Sequence, residues 1–103
     1  MSPLWSQAAT FWAKGADGSW TRSCVSGCHV EATDGSAPAS PGPTAHHGLK
    51  VFIAPPAPDI APGDWCVPVA SEEATPPDAA RRVGQVKHLV VGGAIHHTEV
   101  SCP

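Results

Sequence analysis

The clearest pattern of apolar and polar positions lies at the N-terminus. Large apolar side chains recur at helical spacing over residues 2–14 and fall within an arc of about 120° on a helical wheel. Ser2 is suited to cap this helix, Pro3 to its first turn and Gly15 to its end. The pattern therefore predicts an amphipathic helix over 2–14. Its apolar face consists of Leu4, Trp5, Ala8, Phe11 and Trp12.

A second pattern lies at the C-terminus, where two β-prone stretches flank Gly92 and Gly93. A two-residue glycine turn between such stretches predicts a β-hairpin. In the simplest register, His88 faces His97 across the hairpin. A helix over 78–91 is the alternative, although glycine and valine are poor helix formers. A short helix over 77–84 followed by the hairpin is also compatible with the pattern.

Residues 31–80 differ in composition from both ends of the chain. This stretch contains ten prolines, and only 49–53 and 65–69 resemble strands. Burying its few large apolar side chains supplies much less free energy than ordering fifty residues costs. We therefore expect 31–80 to be a largely disordered, Pro/Ala/Gly-rich flexible linker.

Together these patterns predict at most a small α+β fold. An N-terminal amphipathic helix and a Cys/His cluster occupy 1–30, the flexible linker occupies 31–80, and the C-terminal hairpin segment occupies 81–103. Val, Leu, Ile and Phe together number only 18 of 103 residues, so a large core is not expected. The abundance of Ala, Gly and Pro is typical of a microprotein-like product of a short, GC-rich reading frame.

Charge excludes some partners. Six Lys and Arg against nine Asp and Glu give a net charge of −3, so no nucleic acid partner is expected. No apolar run is long enough for a transmembrane segment, and no secretory signal is evident. We therefore expect an intracellular protein, cytoplasmic or nuclear and not secreted, with reduced cysteines. If the chain is exported, four cysteines allow two disulfides in three pairings.

Cys24, Cys28 and His29 form the most pointed cluster of chemically active residues. The segment CVSGCH resembles a variant of the c-type haem attachment motif, with three residues instead of two between the cysteines. The resemblance implies that both thiols bond to the haem and that His29 ligates the iron. The same residues also suit a zinc site, with His88 and His97 as the second pair of ligands. A reversible disulfide between the two cysteines is a third alternative.

The aromatic face of the predicted helix is the main functional lead. Such a face fits the groove of a protein partner, and contact with a membrane surface is a weaker possibility. No catalytic motif is present, so an enzyme is not expected. The predicted function is a non-enzymatic interaction or regulatory protein that becomes ordered on binding a protein partner and needs no cofactor. The alternatives are a zinc or c-type-haem-like site protein, or a product with no selected molecular function.

Overall fold

The computed structural model of the chain describes residues 5–34 and 47–103, and all secondary structure in that part of the chain is β. Seven antiparallel strands form one sheet in the order β5-β4-β1-β2-β3-β7-β6, which curls into a half-barrel. The strands are β1 (Gln7–Lys14), β2 (Trp20–Asp34), β3 (His47–Ile53), β4 (Trp65–Val67), β5 (Arg81–Arg82), β6 (Gln85–Val91) and β7 (Ala94–Cys102).

The long strand β2 joins the two halves of the sheet. Its residues from Trp20 to Cys28 pair with β1, and those from His29 to Asp34 pair with β3. Near the end of the first part, Gly27 has no partner in the β1–β2 register and has a φ of 74°. An extra residue in the left-handed region is typical of a β-bulge, which bends the strand and favours glycine. The bulge therefore lies where the sheet turns from one half to the other.

Residues 81–84, which we call the edge connector, tie the two edges of the sheet together. Their first two residues form β5 at one edge, and β6 at the other edge begins directly after them. The backbone N–H of Val83 donates to the carbonyl of Asp64 at 2.7 Å, and that of Gly84 donates to Ser101 at 2.8 Å. Because Asp64 precedes β4 and Ser101 lies in β7, one short segment holds both edges close to each other.

The inner face of the curled sheet encloses the core. Apart from Phe11, small and medium side chains fill it, and three of them are cysteines. The core residues are Ala9, Phe11, Cys28, Val51, Ile53, Cys66, Val83, Val100 and Cys102. Such side chains fit a narrow interior in which the strands lie near one another, so the core is small but well buried.

The outer face of β1 is covered as well, by a loop over residues 69–77 that we call the strap. Thr10 and Trp12 point to this face and are fully buried. The Oγ1 of Thr10 accepts a hydrogen bond from the backbone N–H of Ser71 at 2.9 Å. The indole Nε1 of Trp12 donates to the backbone carbonyl of Glu73 at 2.8 Å. These bonds fasten the strap to the sheet.

The predicted N-terminal helix is wrong, because residues 7–14 form strand β1. Ala9 and Phe11 pack in the core, while Thr10 and Trp12 are buried beneath the strap. A strand that is buried on both faces shows no alternation of apolar and polar residues, and its apolar positions then imitate helical spacing.

The predicted disorder of 31–80 is also wrong for the part of that stretch that the structure describes. Strands β3 and β4 lie in it, and both are buried in the sheet. Val51, Ile53, Cys66 and Val67 are buried there because they pack against strands from outside the stretch, whereas the expectation had treated the stretch by itself. Residues 35–46 lie outside the described residues.

Strands β6 and β7 are part of the same seven-stranded sheet as the other strands. Gly92 and Gly93, with φ of 62° and 82°, form the turn between them. An irregularity near Leu89 shifts the pairing, so that His88 faces Thr98 and not His97. Within 5–34 and 47–103 the structure contains no helix that is long and apolar enough to cross a membrane.

The same substitution at two valines tests the burial pattern. Val100 is 0% exposed in the core, and Val91 is 60% exposed at the tip of the β6–β7 turn. We expect Val100→Ala to lower the free energy of unfolding by about 2–3 kcal/mol, because it removes buried methyl groups. Val91→Ala is expected to change it by less than about 0.5 kcal/mol. Urea denaturation followed by fluorescence measures both, and equal losses would contradict the structure.

Candidate functional site

A row of aromatic and cationic side chains crosses the outer face of four strands. Trp12 in β1 pairs with Trp65 in β4 on one side and with Arg22 in β2 on the other. Arg82 in β5 pairs in turn with Trp65. Directly paired residues in an antiparallel sheet share a face and lie side by side. The pairing therefore places two indoles between two guanidinium groups.

A cleft of about 420 Å³ opens between this row and the end of the strap. We call it the tryptophan cleft, because Trp20 and Trp65 both line it and both are half-buried. It is lined by Trp20, Trp65, Thr75, Pro76, Pro77, Asp78 and Ala80. Trp12 lies beneath the strap beside it, so the Trp12–Glu73 hydrogen bond helps to position the proline-bearing wall.

Two cations hold the indoles of the cleft. The Nζ of Lys14 lies 5.6 Å from the centroid of the Trp20 ring, and the Cζ of Arg82 lies 5.5 Å from that of Trp65. Such cation–π contacts orient the rings and limit their motion. Among the described residues that line the cleft, Asp78 alone carries a charge.

The walls of the tryptophan cleft are mainly apolar and aromatic, with Thr75 and Asp78 as polar side chains. Flat aromatic walls, two proline rings and one carboxylate offer stacking, apolar contact and a single charged hydrogen-bond acceptor. These groups suit a ligand with rigid rings and one positive charge.

A second group of side chains, which we call the imidazole patch, lies on the outer face of β2, β3 and β7. The ring of Phe52 has its centroid 5.7 Å from that of His29 and 5.8 Å from that of His97. Each histidine contacts a carboxylate two residues further along its strand, Glu31 at 3.2 Å and Glu99 at 3.3 Å. The two imidazoles are therefore brought near each other, but Phe52 lies between them.

The proposed metal or haem ligands Cys24, Cys28 and His29 are divided between environments. Cys28 is buried in the core, whereas Cys24 is exposed and His29 belongs to the imidazole patch. The bulge at Gly27 separates the two cysteines, because it changes which face of the sheet the following residues occupy.

The other proposed ligand, His88, lies apart from this group. Its Nδ1 contacts Thr98 Oγ1 at 2.9 Å, and its side chain borders a cleft of about 620 Å³ that Asp59 and Asp64 also line. In the part of the chain that the structure describes, no three His, Cys, Asp or Glu side chains are arranged to hold a metal ion. His29 and His97 both contact Phe52, one on each side of the ring.

The five residues proposed to bind a partner are also separated. Phe11 is in the core and Trp12 is beneath the strap, while Trp5 stacks edge-on against His97 with 6.0 Å between ring centroids. Ala8 is half-buried in β1, and Leu4 lies outside the described residues.

Sequence reasoning missed the residues that form the tryptophan cleft. Trp20 and Trp65 are 45 positions apart in the sequence, and β1 lies between their strands in the sheet. The sequence feature that could have pointed to this site is the presence of four tryptophans in a chain with few other large apolar residues.

No protein-family model matches the chain, and no curated protein or solved structure is significantly similar to it.

Removal of one hydrogen-bond donor tests the anchoring of the strap. Trp12→Phe keeps an aromatic ring in the buried position but leaves the Glu73 carbonyl without the indole N–H. We expect a loss of about 1–2 kcal/mol in the free energy of unfolding. We also expect faster hydrogen exchange at Ser71, measured by NMR. Trp20→Phe, which leaves the strap contact intact, is the control, and equal exchange rates in both variants would contradict the anchoring.

Thiol alkylation tests the placement of Cys24 and Cys28. Burial raises the pKa of the Cys28 thiol, so less of the reactive thiolate is present at a given pH, and the side chain is shielded from reagent. At neutral pH we expect iodoacetamide to modify Cys24 at least ten times faster than Cys28, measured by peptide mass spectrometry. Similar rates in the folded protein would argue against the bulge at Gly27, and both should react fast in denaturant.

Proposed function

We propose that the chain is a small non-enzymatic protein that binds a protein partner, and that the tryptophan cleft holds an extended, proline-containing segment of that partner. The observation that carries the proposal is the position of Trp20 and Trp65 on the walls of one open cleft. Half-exposed indoles that face a shared opening are typical of recognition surfaces, where aromatic residues supply much of the binding energy.

A polyproline II segment suits these walls for physical reasons. It has no internal hydrogen bonds, so its carbonyl groups are free to accept from an indole N–H. Its shape exists before binding, and little entropy is lost when it docks in an aromatic-lined groove. The proline rings of such a segment would pack on the faces of Trp20 and Trp65, with Pro76 and Pro77 as a further apolar wall.

Charge adds a preference within this class of segments. Asp78 is exposed and borders the cleft, so it favours a basic residue in the bound segment. Lys14 and Arg82 already lie over the two indoles, and they disfavour a segment with many positive charges. We therefore propose a proline-rich segment that carries one arginine or lysine.

The test is an NMR titration that follows the four indole N–H signals. The probe is a proline-rich decapeptide with one arginine, compared with a peptide in which alanine replaces proline. Cellohexaose and a thymidine decanucleotide are included because sugars and bases also stack on indoles. We expect the proline-rich peptide to shift the Trp20 and Trp65 signals and to bind at least fivefold more tightly than the other three probes. Equal or tighter binding of any of those three would contradict the proposal.

Matched tryptophan variants locate the binding site. Trp20→Ala and Trp65→Ala are each expected to weaken binding of the proline-rich peptide at least tenfold, because they remove a wall of the cleft. Trp5→Ala removes a half-buried tryptophan that contacts His97 of the imidazole patch, and it is expected to leave the affinity unchanged. Asp78→Asn should weaken only the arginine-containing peptide. Loss of binding in Trp5→Ala with normal binding in Trp65→Ala would assign the function to the imidazole patch instead.

A further inference from the structure

Three of the four cysteines meet in the core, each from a different strand. Cys28 comes from β2, Cys66 from β4 and Cys102 from β7, and all three are buried thiols. A buried thiol by itself acts as a small apolar side chain. Cys66 and Cys102 are of further interest, because a bond between them would join strands that lie near opposite edges of the sheet.

The edge connector brings Cys66 and Cys102 together. Cys66 pairs with Arg81, the first residue of the connector. At the other end of the connector, the N–H of Gly84 donates to the carbonyl of Ser101, which precedes Cys102. Both cysteines therefore flank the same four-residue segment, and both side chains point into the same core cluster.

The two buried thiols influence each other's ionisation. A side-chain hydrogen bond with Cys102, together with burial, raises the pKa of the Cys66 thiol. The same hydrogen bond, with Cys66 as donor, lowers the pKa of the Cys102 thiol, and the positive charge of Arg81 acts in the same direction. The charge of Arg81 therefore favours the thiolate form at Cys102.

Access to the pair is from the side of Cys102. An open, mainly apolar cleft of about 410 Å³ reaches Cys102, and its lining includes Gly84 and Pro103. Cys66 does not line this cleft. A small reagent that enters the cleft is therefore nearer to Cys102, which is 1% exposed, than to Cys66.

We propose that Cys66 and Cys102 are a redox pair that forms a disulfide by exchange with a low-molecular-weight disulfide, and that this bond fastens β4 to β7. The Cys102 thiolate attacks one sulfur of the external disulfide, forming a mixed disulfide and expelling a thiolate, which takes up a proton. The Cys66 sulfur then attacks the Cys102 sulfur and releases the second external thiol, which receives the proton of Cys66. The two protein thiols are oxidised, and the external disulfide is reduced to two thiols.

The test uses glutathione disulfide on the folded Cys24→Ser protein, because the exposed Cys24 would react independently. Trypsin places Cys28, Cys66 and Cys102 on three separate peptides, since it cleaves after Lys50, Arg81 and Lys87. We expect the intact mass to fall by two hydrogens and the Cys66 and Cys102 peptides to be linked. A disulfide that includes Cys28 would overturn the proposal. The absence of any disulfide, under conditions in which glutathione disulfide oxidises accessible thiols, would also overturn it.

Two further variants test the order of attack. Cys66→Ala is expected to stop at the mixed disulfide, with one glutathionyl group on Cys102, whereas Cys102→Ala is expected to leave Cys66 unmodified. The reverse pattern would overturn the assignment of Cys102 as the attacking thiol. If a variant does not fold, the peptide map of the Cys24→Ser protein still decides whether the bond forms.

Thermal unfolding gives a readout of the bond itself. Because the bond closes a long loop between outer strands, the oxidised protein should melt roughly 10 °C or more above the reduced protein. An unchanged or lower melting temperature would show that the bond does not fasten the two strands. This proposal does not depend on peptide binding by the tryptophan cleft, so the two can fail separately.

Discussion

The structure depends on the backbone hydrogen bonds of the edge connector. Gly63 and Asp64 exchange bonds with Val83, and Gly84 donates to Ser101, so the segments next to β4 and in β7 are held by one short piece of chain. With its edges held together, the sheet surrounds a narrow interior that few side chains can fill. This explains how a chain with 18 Val, Leu, Ile and Phe residues buries a core over the described residues. Small residues such as cysteine and alanine become useful there, because larger ones would separate the strands.

Strand β1 shows why the pattern of residues misled the prediction of secondary structure. The alternation that identifies a strand arises when one face is buried and the other is in water. β1 has the core on one face and the strap on the other, so Thr10 and Phe11 are both buried. The strap itself is held by contacts between residues about 60 positions apart, which a local pattern does not contain. The β6–β7 turn depends only on neighbouring residues, Gly92 and Gly93, and it can be predicted from the sequence. The irregularity near Leu89 nevertheless changes the strand pairing by one position.

The candidate site was harder to predict than the turn, and for a related reason. Trp20 and Trp65 come together because both border β1, and the proline wall follows because Trp12 holds the strap. None of these relations is expressed by spacing along the chain. The sequence reasoning selected Trp12 as a contact residue, but the structure places its indole in a buried supporting role beside the cleft. The burial of Trp12 and the half-exposure of Trp65 follow from the strap, which covers one indole of the row and leaves the other at an opening.

The bulge at Gly27 has a consequence for the whole outer surface. Residues of β2 after this point lie on the faces they occupy because Gly27 is out of register with β1 and is skipped in the alternation of faces. If Gly27 paired regularly, Cys28 would turn toward solvent and His29 toward the core, so a thiol would replace an imidazole beside Phe52. The unpaired glycine thus acts as a phase shift in the strand, and it keeps the Cys28 sulfur inside the protein and the His29 imidazole outside. Deletion of Gly27 would keep this phase, because Cys28 would then follow Ser26 in regular alternation, so the inversion requires that the glycine stays and the bulge is lost.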